Sequence, residues 1–512
     1  MHPSLNRRTL LRATVAAAAP LPTLGPPAVT ATGGGLFHEL DEKIQTGMAT
    51  YGIPGAAVGV LYQGQEHLRG YGVTNVDHPT PVDPDTVFRI GSTTKTFTGT
   101  TVMRLVELGR IDLDAPVRRY LPDFRTADPA VAARITVRQL LNHTAGWLGD
   151  DLLDTGPGDD AIARFTTALV QAPQLTPPGQ AFSYNNAALS VAGRVIEVVT
   201  GHTYEQAVRG LLIDPLGLTR SRYFTDEIIG FNVAASHAVV NGRPVVQPDF
   251  FGLWRSLNPA GGLISSARDQ LRFARFHLGD GTGLLSRQSR LAMRSNPGPG
   301  GTFFVELDGI GVNWMLRPSA EGVRIVQHGG DWAGQHSGFL MVPDRGFALT
   351  LLTNSEGGPN LVEELFTDDW ALRRFAGVSN LPAAPRALSP AQLAPYEGIY
   401  TQQSIGPAGD LETAQFQLTA ANGQLLATVD GTPEARLAFY RPDYVLIFGP
   451  NGEPTPDRAN FVRATGGRVD WLLQGGRLSR HATTAAASPD RGTTPSGRNH
   501  TNPFQRRPFA FG

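Results

Sequence analysis

The sequence predicts an α/β domain followed by a small antiparallel β-barrel, and three observations support this fold class. The chain has 512 residues, of which 41% are hydrophobic, and this length is too great for one ordinary core. Its larger, N-terminal part mixes strand patterns, at 56–62 and 68–71, with helical patterns such as 96–108. After a stretch rich in proline and alanine, the pattern changes to short β-type runs separated by turn signals.

The N-terminus has the features of an export signal. Arg7 and Arg8 precede a short apolar stretch at 13–19, and the small residues at 29–31 suit a signal peptidase. Paired arginines at such a place resemble a twin-arginine signal. We therefore predict that residues 1–33 are a twin-arginine-type signal peptide and that the protein is secreted or lies in the periplasm or cell envelope. The alternative is a basic tail without structure.

Composition argues against several other classes of protein. The formal net charge is −1, so the chain lacks the excess of positive charge that is typical of nucleic-acid-binding proteins. The absence of cysteine excludes thiol catalysis. The 12 histidines are dispersed and no His-Glu-x-x-His occurs, so we expect neither a metal nor a cofactor. The apolar stretch at 13–19 is too short to span a bilayer about 30 Å thick, and no integral membrane segment is expected.

A serine and a lysine three residues apart mark the first candidate site. Ser92 and Lys95 stand at the start of the helical pattern, after an apolar segment at 87–90. Residues at i and i+3 share a helix face, so the amine can reach the hydroxyl. The amine can act as a base only if burial or nearby positive charge has lowered its pKa. This spacing also arises by chance, and the alternative is an ordinary helix start.

Two further segments carry groups suited to the same chemistry. Tyr184 and Asn186 follow a Pro-Pro-Gly turn and offer a phenol for proton transfer and an amide to hold a substrate carbonyl. His328 ends a predicted strand and precedes two glycines, where a backbone can approach a ligand closely. Each signal is weak alone, and the alternative for His328 is an ordinary surface histidine.

The order and spacing of these three elements resemble those of the serine β-lactamase and penicillin-binding-protein superfamily, in which Ser-x-x-Lys carries the nucleophile. The Tyr-x-Asn is similar to that of the class C β-lactamase branch, which includes DD-carboxypeptidases, D-aminopeptidases and family VIII esterases. Segments 140–146, 214–218 and 259–263 also resemble that branch. The similarity extends from about residue 36 to about residue 377, and we assign 36–378 to this serine hydrolase domain.

The resemblance implies a fold and roles for the polar residues. The fold is a β-lactamase/transpeptidase-like α/β sandwich, with an antiparallel sheet built from the N-terminal strand pair and the strands around 328 and 348–354, plus an all-helical lobe that holds Tyr184. Ser92 would be the acylated nucleophile, and Asn186 would orient the substrate. Lys95 and Tyr184 would act as general base and general acid. The resemblance does not decide which of them takes the serine proton.

The place of the Lys-Thr-Gly of class C β-lactamases is taken here by His328, Gly329 and Gly330. By the resemblance, the backbone N–H groups of Ser92 and Asp331 would form an oxyanion hole. A histidine with its ordinary pKa near 6.5 is only partly charged at neutral pH. This position would then lack a permanent positive charge to bind a substrate carboxylate, so we expect less efficient β-lactam hydrolysis than in a class C enzyme.

The C-terminal part divides into three segments. Residues 379–389 have the composition of a linker, and residues 481–512 contain too few apolar residues for a core, so we predict a disordered tail. Between them, at 390–480, seven β-type runs predict a small antiparallel barrel, with a role in shaping the cleft or in promoting dimers. The runs are 396–400, 416–419, 425–429, 437–440, 444–448, 460–462 and 469–473.

We therefore predict a secreted serine hydrolase that acts through an acyl-enzyme on Ser92. Its partner would be a small-molecule or peptide substrate: a small amide, a peptide with D-residues, or an ester. The alternative is a catalytically inactive, penicillin-binding-like receptor for cell-wall fragments. The presence of all four residues Ser92, Lys95, Tyr184 and Asn186 argues against that alternative. The sequence does not predict the oligomeric state.

Overall fold

The computed structural model describes residues 33–149, 152–280, 282–295, 297–405, 411–482 and 504. The predicted signal peptide, apart from Gly33, and the predicted tail from residue 483 onward, apart from Phe504, lie outside the described residues. Within the described ranges, no helix combines the length and the apolar character needed to cross a bilayer.

A seven-stranded antiparallel sheet forms the centre of the larger domain. The strands of this domain are β1 Gly55–Tyr62, β2 Gln65–Gly72, β3 Val87–Arg89, β4 His237–Val240, β5 Arg243–Val246, β6 Ile264–Ser266, β7 Gly301–Phe303, β8 Val305–Leu307, β9 Gly309–Ile310, β10 Met315–Arg317, β11 Ile325–Trp332, β12 Gln335–Val342 and β13 Phe347–Thr353. The order in the main sheet is β2-β1-β13-β12-β11-β10-β9, and the other six strands pair as β3-β6, β4-β5 and β7-β8. The predicted sheet is confirmed.

Helices cover both faces of this sheet. The helices of the described residues are α1 Gly33–Tyr51, α2 Thr94–Glu107, α3 Pro129–Ala132, α4 Val137–Leu141, α5 Ala161–Ala168, α6 Asn186–Thr200, α7 Tyr204–Val208, α8 Asn258–Gly261, α9 Ala267–Leu278, α10 Arg287–Ala292, α11 Gly358–Val362 and, before the barrel, α12 Pro390–Leu393. Successive strand residues point to opposite faces. Ala57 therefore lies in a core with Phe273 of α9, whereas Val58 lies in a second core with Leu40 of α1. The predicted α/β sandwich is confirmed.

Eight strands form the closed C-terminal barrel. They are β14 Gly398–Ile405, β15 Leu411–Ala421, β16 Gln424–Val429, β17 Thr432–Arg441, β18 Tyr444–Phe448, β19 Pro454–Arg463, β20 Val469–Gln474 and β21 Arg477–Ala482, and β14 pairs with β21 to close the ring. Tyr396 lies in a 3₁₀ turn before β14 and not in the predicted opening strand. The predicted runs omit β21 because its sequence, Arg-Leu-Ser-Arg-His-Ala, has too few apolar residues to show a strand pattern.

A buried carboxylate joins the barrel to the larger domain. Glu306 of β8 accepts hydrogen bonds from the Tyr440 hydroxyl at 2.8 Å and from Arg458 at 3.1 Å, and it pairs with Arg441. All three partners belong to the barrel. An apolar cluster reinforces the contact and contains residues of both parts, among them Val305 and Trp471.

We expect Glu306→Ala to destabilise the protein by about 3 kcal/mol, because two arginines and a tyrosine at the interface would lose their shared acceptor. Urea unfolding measures this change in the free energy of unfolding. Glu42→Ala provides the control: Glu42 forms an exposed pair with His38, and its loss should change stability by less than about 0.5 kcal/mol. Equal stability of the two variants would contradict the prediction.

Candidate active site

The predicted Ser92–Lys95 pair is formed. Ser92 lies in a 3₁₀ turn, Gly91–Thr93, that leads directly into α2, so its Oγ stands at a helix N-terminus. The Lys95 Nζ donates to Ser92 Oγ at 2.8 Å and to the Ala260 carbonyl at 2.7 Å. The side chain of Lys95 is completely buried, and burial is one of the two features that can make a lysine amine a base.

Tyr184 lies beside this pair in a stack of rings. Its ring stacks on His143 with the centroids 4.5 Å apart and on Phe303 at 5.1 Å, and it is almost completely buried. The Lys95 Nζ lies 5.0 Å from the centroid of the Tyr184 ring. Ser92 and Tyr184 line the same cleft, so the structure brings the predicted hydroxyl, amine and phenol together.

Asn186 is the first residue of α6 and is buried. The helix begins here because the side chain of Asn185 caps it, accepting from the Ala188 N–H at 2.7 Å. Asn186 and Ser92 line a smaller pocket beside the cleft, together with apolar residues of other segments: Leu152, Leu253, Leu257 and Trp332. The predicted amide is therefore adjacent to Ser92, on the side that faces the loop at 248–257.

Strand β11 approaches the turn that carries Ser92 very closely. A Cβ added to Gly330 would lie 2.0 Å from the Ile90 carbonyl oxygen and 2.7 Å from the Ser92 backbone nitrogen. A Cβ added to Gly91, which has φ of 51°, would lie 2.6 Å from the backbone nitrogen of Asp331. Because these positions lack side chains, the backbone nitrogens of Ser92 and Asp331 come to the same end of the cleft.

The edge of β11 is also open at this point. Its pairing with β10 stops at Gln327, whereas its pairing with β12 continues to Trp332. His328, Gly329, Gly330 and Asp331 all line the cleft beside Ser92. The four predicted substrate-binding positions therefore lie along one strand edge next to Ser92.

The protonation state of His328 differs from the partial positive charge that was expected. It is almost completely buried, and its Nδ1 donates to the Gly329 carbonyl at 2.6 Å. Burial first, and then the positive charge of Lys95, lowers the pKa of His328 to about 3. The imidazole is therefore neutral at pH 7, and the expectation of partial charge is wrong. Sequence reasoning missed this because burial is a tertiary property.

His143 has no predicted role, although its segment contributed to the family resemblance. His143 is buried with a left-handed φ of 58°, and its Nδ1 accepts from the Asn185 N–H at 3.0 Å. Burial, followed by the positive charge of Lys95, holds the pKa of His143 well below its usual value. A neutral imidazole thus supports one face of Tyr184 and the start of α6.

The cleft has a volume of about 130 Å³ and an apolar wall on the Tyr184 side, formed by Phe303, Val305 and Met315. Phe304, Phe339 and Phe366 also line the cleft. His336 hydrogen-bonds Asp331 at 2.6 Å, next to the cleft. In the part of the chain that the structure describes, no group of three or more histidine and acidic side chains is placed to hold a metal ion.

The family model described as Beta-lactamase matches residues 40–372. The chain belongs to this family. Among curated proteins, penicillin-binding protein 4 of Amycolatopsis lactamdurans is 37% identical over 365 residues, which cover 69% of this chain and 95% of that protein. The family and this relative place the β-lactamase-family chain among serine hydrolase-type proteins.

Solved structures extend the similarity of this β-lactamase-family chain into the barrel. The structure of SurE superposes with a TM-score of 0.70 and 30% identity, covering 88% of this chain and 99% of SurE. SurE with D-Leu gives a TM-score of 0.68 at 29% identity, covering 88% of this chain and all of that one (100%). The octameric penicillin-binding protein homologue from Pyrococcus abyssi shares the fold, with a TM-score of 0.60, 23% identity, and coverage of 86% and 99%. The predicted membership of the serine β-lactamase and penicillin-binding-protein superfamily is confirmed.

We expect Gly330→Ala to lower both the melting temperature and the rate at which a fluorophosphonate labels Ser92, because the added methyl pushes β11 away from the turn at Ser92. The labelling rate should fall by about 100-fold, since small displacements of reacting groups carry penalties of this size. At Gly329, the nearest atom to an added Cβ is 3.4 Å away, so Gly329→Ala should keep the melting temperature. Equal melting temperatures for the two variants would argue against the close approach.

The neutral state of His328 predicts a pH dependence of stability. Its pKa in the folded protein lies below the unfolded value near 6.5, so the unfolded chain binds the proton first as the pH falls. This histidine should therefore reduce stability by up to about 1.4 kcal/mol per pH unit below about pH 6.5. Urea unfolding measures the free energy of unfolding between about pH 6 and 5. The slope of this free energy against pH should be shallower in His328→Gln than in the wild-type protein, and unchanged in His38→Gln, a substitution at an exposed site. An unchanged slope in His328→Gln would show that His328 is not held neutral.

Proposed function

We propose that this protein is an exported serine hydrolase that forms an acyl-enzyme on Ser92 and transfers the acyl group to water. The observation that carries the proposal is the 2.8 Å hydrogen bond between Lys95 and Ser92 inside a buried cleft that Tyr184 also lines. Export rests on the N-terminal sequence at 1–33, through its paired arginines.

In the first step, Ser92 Oγ attacks the carbonyl carbon of the substrate and loses its proton to Lys95 or Tyr184. The carbonyl oxygen becomes negatively charged and accepts hydrogen bonds from the backbone N–H groups of Ser92 and Asp331. The N-terminus of α2 adds a favourable dipole at this place. When the tetrahedral intermediate collapses, the bond to the leaving group breaks and the leaving group takes the proton.

In the second step, a water molecule gives a proton to the same base and attacks the ester carbon on Ser92. The acyl–oxygen bond to Ser92 then breaks, the serine regains its proton, and a carboxylic acid leaves. The net reaction is hydrolysis of an ester or amide, with water as the co-reactant. Asn186, on the other side of Ser92, is suited to hold the amide of the acyl part.

The cleft and one relative support the proposed substrate class. SurE, at 29% identity, has been solved with D-Leu, which supports a substrate that contains a D-residue. The apolar wall on the Tyr184 side suits an uncharged substituent on the substrate. His328 is neutral, so it does not supply the permanent charge that would hold the carboxylate of a β-lactam. We propose D-residue peptides, small amides and esters as substrates, with esters turned over most easily because an alkoxide leaves without needing the protonation that an amine requires.

We expect Ser92→Ala to lower kcat for a p-nitrophenyl ester by at least about 10⁴-fold and to abolish labelling by a fluorophosphonate, because the nucleophile is removed. Ser295→Ala, at an exposed serine, should leave both unchanged. A panel of p-nitrophenyl esters, D-alanyl amides, D-Ala-D-Ala peptides and nitrocefin then ranks the substrates by kcat/KM.

The same experiment separates a hydrolase from a binding protein that uses this cleft without turnover. Intact-mass spectrometry of the wild-type protein should show an adduct that disappears in Ser92→Ala. Full esterase activity in Ser92→Ala, or the absence of any adduct on the wild-type protein, would refute the proposal.

A further inference from the structure

We infer that the β-barrel completes the active site: Gly476 and Arg477, at the start of β21, are positioning residues that hold Tyr184 in place for proton transfer. The inference rests on the proposed function, because it assigns to the barrel a part in the same reaction. The sequence left the role of the barrel open between shaping the cleft and promoting dimers.

The first observation is a direct backbone contact between the barrel and Tyr184. The Tyr184 N–H donates to the Gly476 carbonyl at 2.8 Å. A Cβ added to Gly476 would lie 2.6 Å from the Phe303 ring and 3.0 Å from the Tyr184 Cβ. The hairpin between β20 and β21 therefore packs against both the backbone and the ring stack of Tyr184, with no room for a side chain at Gly476.

The second observation is that Tyr184 belongs to the core that joins the two parts. One apolar cluster contains Tyr184 and Phe182 together with Trp471 and Leu473 of β20. Next to this cluster, the Thr302 hydroxyl donates to the Asn460 side chain at 3.0 Å, and Glu306 is held by barrel residues. Because well-packed interiors do not deform gradually, the barrel restricts where the Tyr184 ring can lie.

The third observation concerns charge. The Arg477 guanidinium lies 5.3 Å from the centroid of the Tyr184 ring, and the Lys95 amine lies 5.0 Å from it. His143 and His328 also contact this ring, and burial keeps both neutral. The carboxylates of Asp331 and Glu363 line the same cleft. A fixed positive charge at this place favours a phenolate on Tyr184 and disfavours an ammonium on Lys95. Arg477 thus promotes the proton-accepting form of whichever group acts as the base.

Two glycines of the same hairpin provide a matched test of position. Gly475 and Gly476 both have left-handed φ, 53° and 75°, so alanine strains the turn at either site. An added Cβ at Gly475 meets nothing within 4 Å, whereas at Gly476 it meets Phe303 and Tyr184. We expect Gly476→Ala to lower kcat for a p-nitrophenyl ester by about 10- to 100-fold, with a smaller change in KM, and Gly475→Ala to lower it by less than about threefold.

The second test concerns the charge. Arg477→Met should move the acidic limb of the pH profile of kcat/KM to higher pH, because the base binds its proton more tightly once the neighbouring cation is gone, and Arg477→Lys should restore most of the wild-type profile. Arg480→Met is the control, since Arg480 is an exposed residue of the same strand. A residue with a purely structural role would lower stability without moving the pH profile. This second test remains decisive if Gly476→Ala does not fold.

The outcomes separate the inference from the proposed function. Labelling of Ser92 in the wild-type protein, combined with equal kcat for Gly476→Ala and Gly475→Ala and an unshifted profile for Arg477→Met, would overturn the role of the barrel and leave the hydrolase intact. A wild-type protein without any adduct on Ser92 would overturn both.

Discussion

The site depends on the close contact between β11 and the turn that carries Ser92. Gly91 and Gly330 meet there at distances that exclude side chains, and the contact places a strand edge directly beside the hydroxyl. Because the strand is part of the central sheet and the turn begins α2, Ser92 is held between the sheet and a helix. In the proposed reaction, a hydroxyl held in this way needs little reorganisation when charge develops on a substrate oxygen, which is the main source of electrostatic catalysis.

Burial gives this cleft its electrostatic character. His143 and His328 surround Tyr184, and both are neutral because desolvation opposes their protonation. In the described part of the chain, an amine from α2 and a guanidinium from the barrel lie 5.0 Å and 5.3 Å from the centroid of the Tyr184 ring. For the proposed reaction, this arrangement favours proton transfer within the site. It differs from that of a site built to hold an anionic substrate through a charged residue on β11.

The barrel and the larger domain share one interior surface near the chemistry. Glu306 ties the two parts together by buried polar contacts, and the apolar cluster at the same boundary contains Tyr184 itself. The similarity to SurE covers 88% of this chain and therefore includes the barrel as well as the domain that the family model matches. A barrel that only enlarged the protein would not need to provide a backbone carbonyl that accepts a hydrogen bond from Tyr184.

The sequence by itself determined the family, the fold class and the identity of the polar residues, because motifs such as Ser92-x-x-Lys95 and Tyr184-x-Asn186 are local in the chain. It also indicated the barrel, because alternation and turn signals are local too, although β21 was too polar to be recognised. Only the tertiary structure decided that His328 is neutral, that His143 supports Tyr184, and that Gly476 and Arg477 reach the site. The physical reason is that burial, desolvation and contacts between residues almost 300 positions apart, such as Tyr184 and Gly476, arise from packing and leave no periodic signal in the sequence.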